Sequence, residues 1–225
     1  MRMPRFRFVP AILLGLALAC PAPASAAEPD AEGTAGAPLG GGSQLVIGSG
    51  ARCTAGFAAV SGTQGHLIAG PGCGAIGDSV TSAGIPVGTV AAASFPERAH
   101  TLIAVTNTSD WELVAWAGTE PASIAGSAEA AVGAPVCLLG SADGARCGTV
   151  QAKNVTINFP EGVLSGLTQT SACAEPGDRG GTFLSGDQAQ GVPVGGSGDC
   201  ASGGTSFFQP IAEILALYGL TLLTG

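Results

Sequence analysis

Charge is scarce in this chain. Only 11% of its 225 residues are Asp, Glu, Lys or Arg, and just eight are basic. So few cations, against 16 acids, leave no basic stripe for a phosphate backbone, which excludes nucleic acid and anionic lipid as partners. Histidine is nearly missing too, with His66 and His100 alone. The cysteines form no Cys-x-x-Cys pair and no His pair lies near them, so no metal site and no cofactor are expected. Long apolar runs are also lacking. The stretch from Phe8 to Ala19 and a C-terminal run of about 13 residues are both too short to span a bilayer comfortably. What is abundant is glycine, at 37 residues, within a chain that is 46% hydrophobic. That balance argues against disorder and for many short strands joined by tight turns. The length suits one large β domain or two small barrels sharing a core.

Residues 1–26 have the layout of an export signal. Arg2, Arg5 and Arg7 make a basic start, the apolar run follows, and Ala24-Ser25-Ala26 offers a small-residue cleavage site before Ala27. Cys20 is expected to leave with this segment. Five basic residues then remain (Arg52, Arg98, Arg146, Lys153 and Arg179) against all 16 acids, a surface suited to solubility outside the cell. A secreted chain, free of the membrane after cleavage, is the expectation. Residues 27–43, rich in Ala, Gly, Pro and acids, read as a flexible linker.

Six cysteines remain after cleavage: Cys53, Cys73, Cys137, Cys147, Cys173 and Cys200. An even number in an exported chain argues for disulfides, and six allow 15 pairings. Sequence order suggests local loops, Cys53–Cys73, Cys137–Cys147 and Cys173–Cys200.

From Gln44 onward short apolar runs alternate with turns. Strands are predicted at 45–47, 55–60, 66–68, 87–92, 102–105 and 113–116, then an irregular stretch from Gly118 to Pro135. Further strands are predicted at 136–139, 149–152, 155–159, 164–169, 181–184, 192–194 and 205–209. The spacing fits paired antiparallel barrels or a sandwich. One helix is predicted, about 210–219, opened by Pro210 and with Ile211, Ile214, Leu215 and Tyr218 at helical spacing. Packing against the second half is its expected role.

The most specific segment runs from Cys173 to Gly181, Cys-Ala-Glu-Pro-Gly-Asp-Arg-Gly-Gly. It resembles the nucleophile loop of chymotrypsin-like serine proteases, Gly-Asp-Ser-Gly-Gly, with Arg179 where the serine belongs. Arg52-Cys53-Thr54-Ala55-Gly56-Phe57 resembles the opening strand of the streptogrisin and alpha-lytic protease branch. Val194-Gly195-Gly196-Ser197-Gly198-Asp199-Cys200 resembles its substrate-binding strand, and 203–210 the run into its C-terminal helix. The resemblance covers roughly 44–223. It implies an all-β fold of two antiparallel six-stranded β-barrels with a C-terminal α-helix, the first barrel about 44–118 and the second about 135–209. It also implies the local disulfide pairing.

Carried over residue by residue, the resemblance leaves the catalytic positions empty. Gly65-His66-Leu67-Ile68 runs without a gap into Ala69-Gly70-Pro71-Gly72-Cys73, so Gly72 stands at the family's histidine. After the turn Ser94-Phe95-Pro96, Ala99 takes the aspartate position, or His100 with a slip of one residue. Val194 replaces the serine that bonds that aspartate. The reaction needs serine to attack, histidine to take its proton and aspartate to hold the histidine. Arginine has no lone pair to attack with, and glycine and alanine cannot carry protons. His66 and His100 are expected to be structural or solvated. Proteolysis is therefore not expected; the alternatives are an active secreted serine endopeptidase whose catalytic residues lie at other positions, and a structural cell-envelope protein.

The turn can still offer the backbone N–H groups of Gly177 and Arg179 as an oxyanion hole. Arg179, with Val194, Gly195 and Gly196, is the expected binding site for a peptide or protein ligand, and its guanidinium suits a carboxylate. The competing expectation is internal. Leu138 stands where the branch places an arginine that pairs with the loop aspartate, so Asp178 needs a cation, Arg179 or Arg52. Only about 17 residues separate the expected cleavage site from the first strand, too few for a folded pro-region. A monomer is expected. Asn107 and Asn154 sit in glycosylation-like triplets that carry little weight here.

Overall fold

Strand burial alternates from the start: Leu45 and Ile47 point inward while Gln44 and Val46 do not. That period of two is what places one face of each strand in a core. A computed structural model describes residues 36–118, 122–140, 144–174 and 180–225 of the chain.

The first ring uses β2 (Gln44–Ile47), β3 (Ala51–Ser61), β4 (Gln64–Ala69), β5 (Ser79–Ser82), β6 (Ile85–Ser94) and β7 (His100–Val105). Their order is β3-β2-β5-β6-β7-β4, and β4 pairs back onto β3. Strand β3 pairs β2 through 51–54 and β4 through 55–61, with a bulge between Ala55 and Phe57. Bulges bend a strand, and this bend lets β3 turn the corner of the ring. Leu45, Ile47, Leu67, Val80, Val87, Val90, Ile103 and Val105 cluster as its core.

Before the ring lies β1 (Ala37–Leu39); after it come β8 (Trp111–Leu113), β9 (Trp116–Ala117) and β10 (Ala122–Ser123). The second barrel is closed, in the order β11-β12-β13-β16-β15-β14. Its strands are β11 (Pro135–Leu139), β12 (Ala145–Phe159), β13 (Gly162–Thr170), β14 (Thr182–Ser185), β15 (Gln188–Asp199) and β16 (Gly203–Pro210). Val136, Leu138, Val150, Phe183 and Phe208 cluster together, the two phenylalanine rings stacked 4.8 Å apart.

Helix α1 (Ile211–Tyr218) follows Pro210 and ends at Gly219, whose left-handed backbone (φ 58°) suits glycine. It does more than cover the second barrel. Its buried Ile211 and Ile214 share a cluster with Phe57, Ile68 and Leu102 of the first ring and with Leu184 and Val192 of the second. Beyond it, β17 (Thr221–Leu222) pairs with Val60 and Ala59 of β3.

One expectation needs correction. The linker assigned to 27–43 is part of the fold over its last residues. Strand β1 pairs in parallel with β8, Leu39 is fully buried, and the Gly42 N–H donates to the Ala55 carbonyl at 2.8 Å. The glycines allow this close course: a Cβ on Gly40 would lie 2.7 Å from the Trp116 ring. The composition reads as loose because packing by missing side chains leaves no periodic signal.

All three disulfides follow the local pairing, Cys53–Cys73, Cys137–Cys147 and Cys173–Cys200.

Candidate functional site at the seam of the barrels

Four backbone segments converge between the barrels. Gly180, just before β14, bridges Thr54 of β3. A Cβ on Gly180 would fall 2.9 Å from the Thr54 nitrogen, and its φ of +99° already disfavours a side chain. Gly70, just after β4, lies against Pro193 of β15: its Cβ would sit 2.8 Å from the Pro193 carbonyl oxygen and 3.8 Å from Gly180. The Cys53–Cys73 bridge fastens β3 to this same turn. Missing side chains thus bring the region of Gly72, the chain leaving the 175–179 loop, and the strand carrying Val194 to one place.

Gly72 has φ +77°, and a Cβ there would meet no atom within 4 Å. A side chain there would enter open space. Gly177, Asp178 and Arg179 lie outside the described residues. Arg52, the other cation considered for Asp178, is exposed on β3.

Ala99 is fully buried. It clusters with Leu164 and Leu167 of β13, and Val194 and Phe207 pack on the same cluster. Its N–H donates to Gln209 Oε1 at 3.2 Å, and Gln209 Nε2 donates to Glu213 Oε2 at 2.9 Å. Arg98 Nη1 meets the same Glu213 oxygen at 2.9 Å. The turn before β7 is thus tied to α1 through buried Gln209. Nothing in the sequence pattern singled out Gln209, a polar residue in a predicted strand with no periodic signal to mark its burial.

His100 faces elsewhere. Its Nε2 lies 2.8 Å from the Tyr218 hydroxyl, with the rings edge-to-face at 5.3 Å. Its Nδ1 is buried and, among the described residues, has no hydrogen-bond partner. Burial, and secondarily the charge of Arg98, lowers its pKa to about 4. His66 Nδ1 lies 3.1 Å from the Gln64 carbonyl. Burial lowers its pKa, partly opposed by that carbonyl.

Along β15 the chain emerges toward solvent: Val194 and Gly195 are half-buried and Gly196 is exposed. One edge of this stretch pairs with β16, Gly195 opposite Phe207 and Gly196 opposite Ser206. On the other edge β14 pairs only as far as Gly191. Among the described residues, the far edge of 194–196 has no strand beside it. Such an edge can take an extended peptide by main-chain hydrogen bonding. Ser206 Oγ accepts the Ala174 N–H at 2.6 Å, which ties Ala174 to β16 at the residue opposite Gly196.

A sequence model of the trypsin family, described simply as Trypsin, matches residues 93–217, more than half of the chain. The chain belongs to the trypsin family of serine proteases. Streptogrisin-C of Streptomyces griseus is 45% identical over 188 residues, covering 83% of this chain and 41% of that protein. Serine protease 2 of Streptomyces fradiae is 38% identical over 176 residues, covering 75% of this chain and all of that protein. Among solved structures, Thermobifida fusca protease A shares 42% identity at a TM-score of 0.75, covering 84% of this chain and all of that one. The chain spans less than half the length of streptogrisin-C and streptogrisin-D, 41% and 47%. Trypsin-family membership agrees with the two barrels and the C-terminal helix.

Proposed function

We propose that this chain is an exported trypsin-family protein that binds extended peptides in its cleft and does not cleave them. The observation that carries the reading is the burial of Ala99. In this reading Ala99 stands at the family's aspartate position, and its methyl group packs with Leu164, Leu167 and Val194. A hydrocarbon cluster gives no charge to orient an imidazole, and an unpaired carboxylate placed there is costly. The alternative register does not restore a triad, because the His100 ring is committed to Tyr218. Gly72 and Arg179 remove the base and the nucleophile in this reading.

Binding uses what survives. The free edge at Val194–Gly196 supplies backbone donors and acceptors for a peptide strand, and Arg179 supplies a cation for a carboxylate, including a peptide C-terminus. Export is supported by the signal-like residues 1–26 and by three disulfides.

Calorimetric titration with a panel of C-terminal peptides and small carboxylates tests the binding half. Heat that is lost in Arg179→Ala with the fold intact supports it; equal heat in both proteins removes it. Family membership by itself favours a working hydrolase instead. A fluorophosphonate probe separates the two, because labelling that disappears when one serine is changed establishes an active nucleophile.

A further inference from the structure

The three disulfides stand in very different surroundings. Cys53 and Cys73 are 2% and 0% exposed inside the first ring. Cys173 and Cys200 are half-buried, and the Gly204 backbone lies over the Cys173 sulfur. Cys147 is exposed and its partner Cys137 is half-buried. These two residues sit directly opposite each other on β11 and β12. Their bridge also spans the shortest stretch of chain, 10 residues against 20 and 27.

These differences act in one direction. Thiol–disulfide exchange requires a thiolate to reach a sulfur, so access favours Cys147. A bridge over a short loop restrains the unfolded chain least, so its loss costs the fold least. The backbone ladder around the cysteines also keeps the strands together, though less tightly, once the bridge is open. Residues 135–139 of β11 pair with β12 on one side, and Cys137 to Leu139 pair with β14 on the other.

We propose that Cys137–Cys147 is a thiol-exchange site, a surface clasp that a dithiol reductant opens while the other two bridges stay closed. One thiolate of the reductant attacks the Cys147 sulfur. The Cys137–Cys147 bond breaks, and Cys137 leaves as a thiolate that takes a proton from water. The second thiol of the reductant, as its thiolate, then attacks its own sulfur in the mixed disulfide and expels Cys147. The protein gains two electrons and two protons, and the reductant becomes a cyclic disulfide. This assignment goes beyond peptide binding and does not depend on it.

The clasp sits on the strand that packs against Gly181 and β14. Leu138 and Leu139 of β11 pair with Phe183 and Thr182 of β14. A Cβ on Gly181 would lie 2.7 Å from the Leu139 carbonyl oxygen, so the chain leaving 175–179 runs directly along this strand. Opening the bridge loosens the edge against which that segment rests.

The test uses the intact oxidised protein at about pH 8, where small thiols are substantially ionised. Samples are reduced with dithiothreitol for graded times, trapped with iodoacetamide and mapped by peptide mass spectrometry. Cys137 and Cys147 should be alkylated at least about tenfold faster than the other four cysteines, with the far-ultraviolet circular dichroism unchanged. Equal rates for all three bridges, prior loss of another bridge, or reduction only together with unfolding overturns the assignment. Amide exchange of the selectively reduced protein reads the clasp itself. Faster exchange at 135–139 and 182–185, with the first ring unchanged, is expected; unaltered exchange there overturns the link to the loop.

Discussion

His100 Nε2 and the Tyr218 hydroxyl, 2.8 Å apart, join the first strand after the Phe95–Pro96 turn to the last residue of the C-terminal helix. The histidine is wholly buried, and its Nδ1 has no partner among the described residues. Burial, and secondarily the charge of Arg98, therefore favours its neutral form.

The pH dependence of stability follows. The folded pKa of about 4 lies below the ordinary value of 6.5. Between those values the unfolded chain binds the proton and the folded one does not. Stability present above pH 6.5 is therefore lost as pH falls toward 4 and levels off below it. The loss is about 3 kcal/mol at most. Urea denaturation across that window measures it. His100→Asn should flatten this part of the profile, and an equally steep profile in that variant rules out His100 as its source.

Gln209 and Arg98 should differ sharply when changed. Gln209 is fully buried and accepts the Ala99 N–H. Gln209→Leu leaves that N–H without an acceptor and should cost about 1–3 kcal/mol. Arg98 and Glu213 are 42% and 37% exposed, so Arg98→Ala should cost no more than about 1 kcal/mol. Thermal denaturation of the two variants gives the order directly.

Gly180→Ala should be among the more damaging single methyl additions. It brings a Cβ against the Thr54 backbone at a residue with φ +99°. Strain of this kind costs about 1–3 kcal/mol before any shift of the strands. Gly72→Ala meets no atom within 4 Å and carries only the cost of its own φ of +77°. A smaller loss at Gly72 than at Gly180 is the expected result in denaturant titration.

On the proposed reading, restoring one catalytic group should restore nothing. Arg179→Ser supplies a hydroxyl but no base, and Ala99→Asp puts a carboxylate among Leu164, Leu167 and Val194. Fluorophosphonate labelling of Arg179→Ser should stay at background. Ala99→Asp should lose about 2 kcal/mol or more, in the range for a buried charge without a counter-ion. Strong labelling of the Arg179→Ser protein indicates a base that the proposed reading lacks.

The strands were legible because they leave local marks, alternating apolar residues and turn glycines; their closing into two barrels was implied by the family resemblance, and the local cysteine pairing by sequence order together with that resemblance. Strand β5 left none. Ser79-Val80-Thr81-Ser82 has one large apolar side chain, and its place is set by pairing with β2 and β6 rather than by its own pattern. Strand β1 was hidden for the same reason, since it is fixed by Trp111 to Leu113 far along the chain. At the seam, the sequence singled out Gly72, Ala99 and Val194 through their neighbours. It said nothing of Gly70 against Pro193 or of Gln209 beneath Ala99, because those relations exist only once two distant segments meet.

Strand β17 lies beside Val60 and Ala59, so residues 221–222 complete a sheet by pairing with residues about 160 positions earlier. Without those two residues the amino-terminal ring has that flank bare. Its border is thus closed by chain that lies beyond the second barrel and the helix, so a truncation at the far end should be felt in the first half.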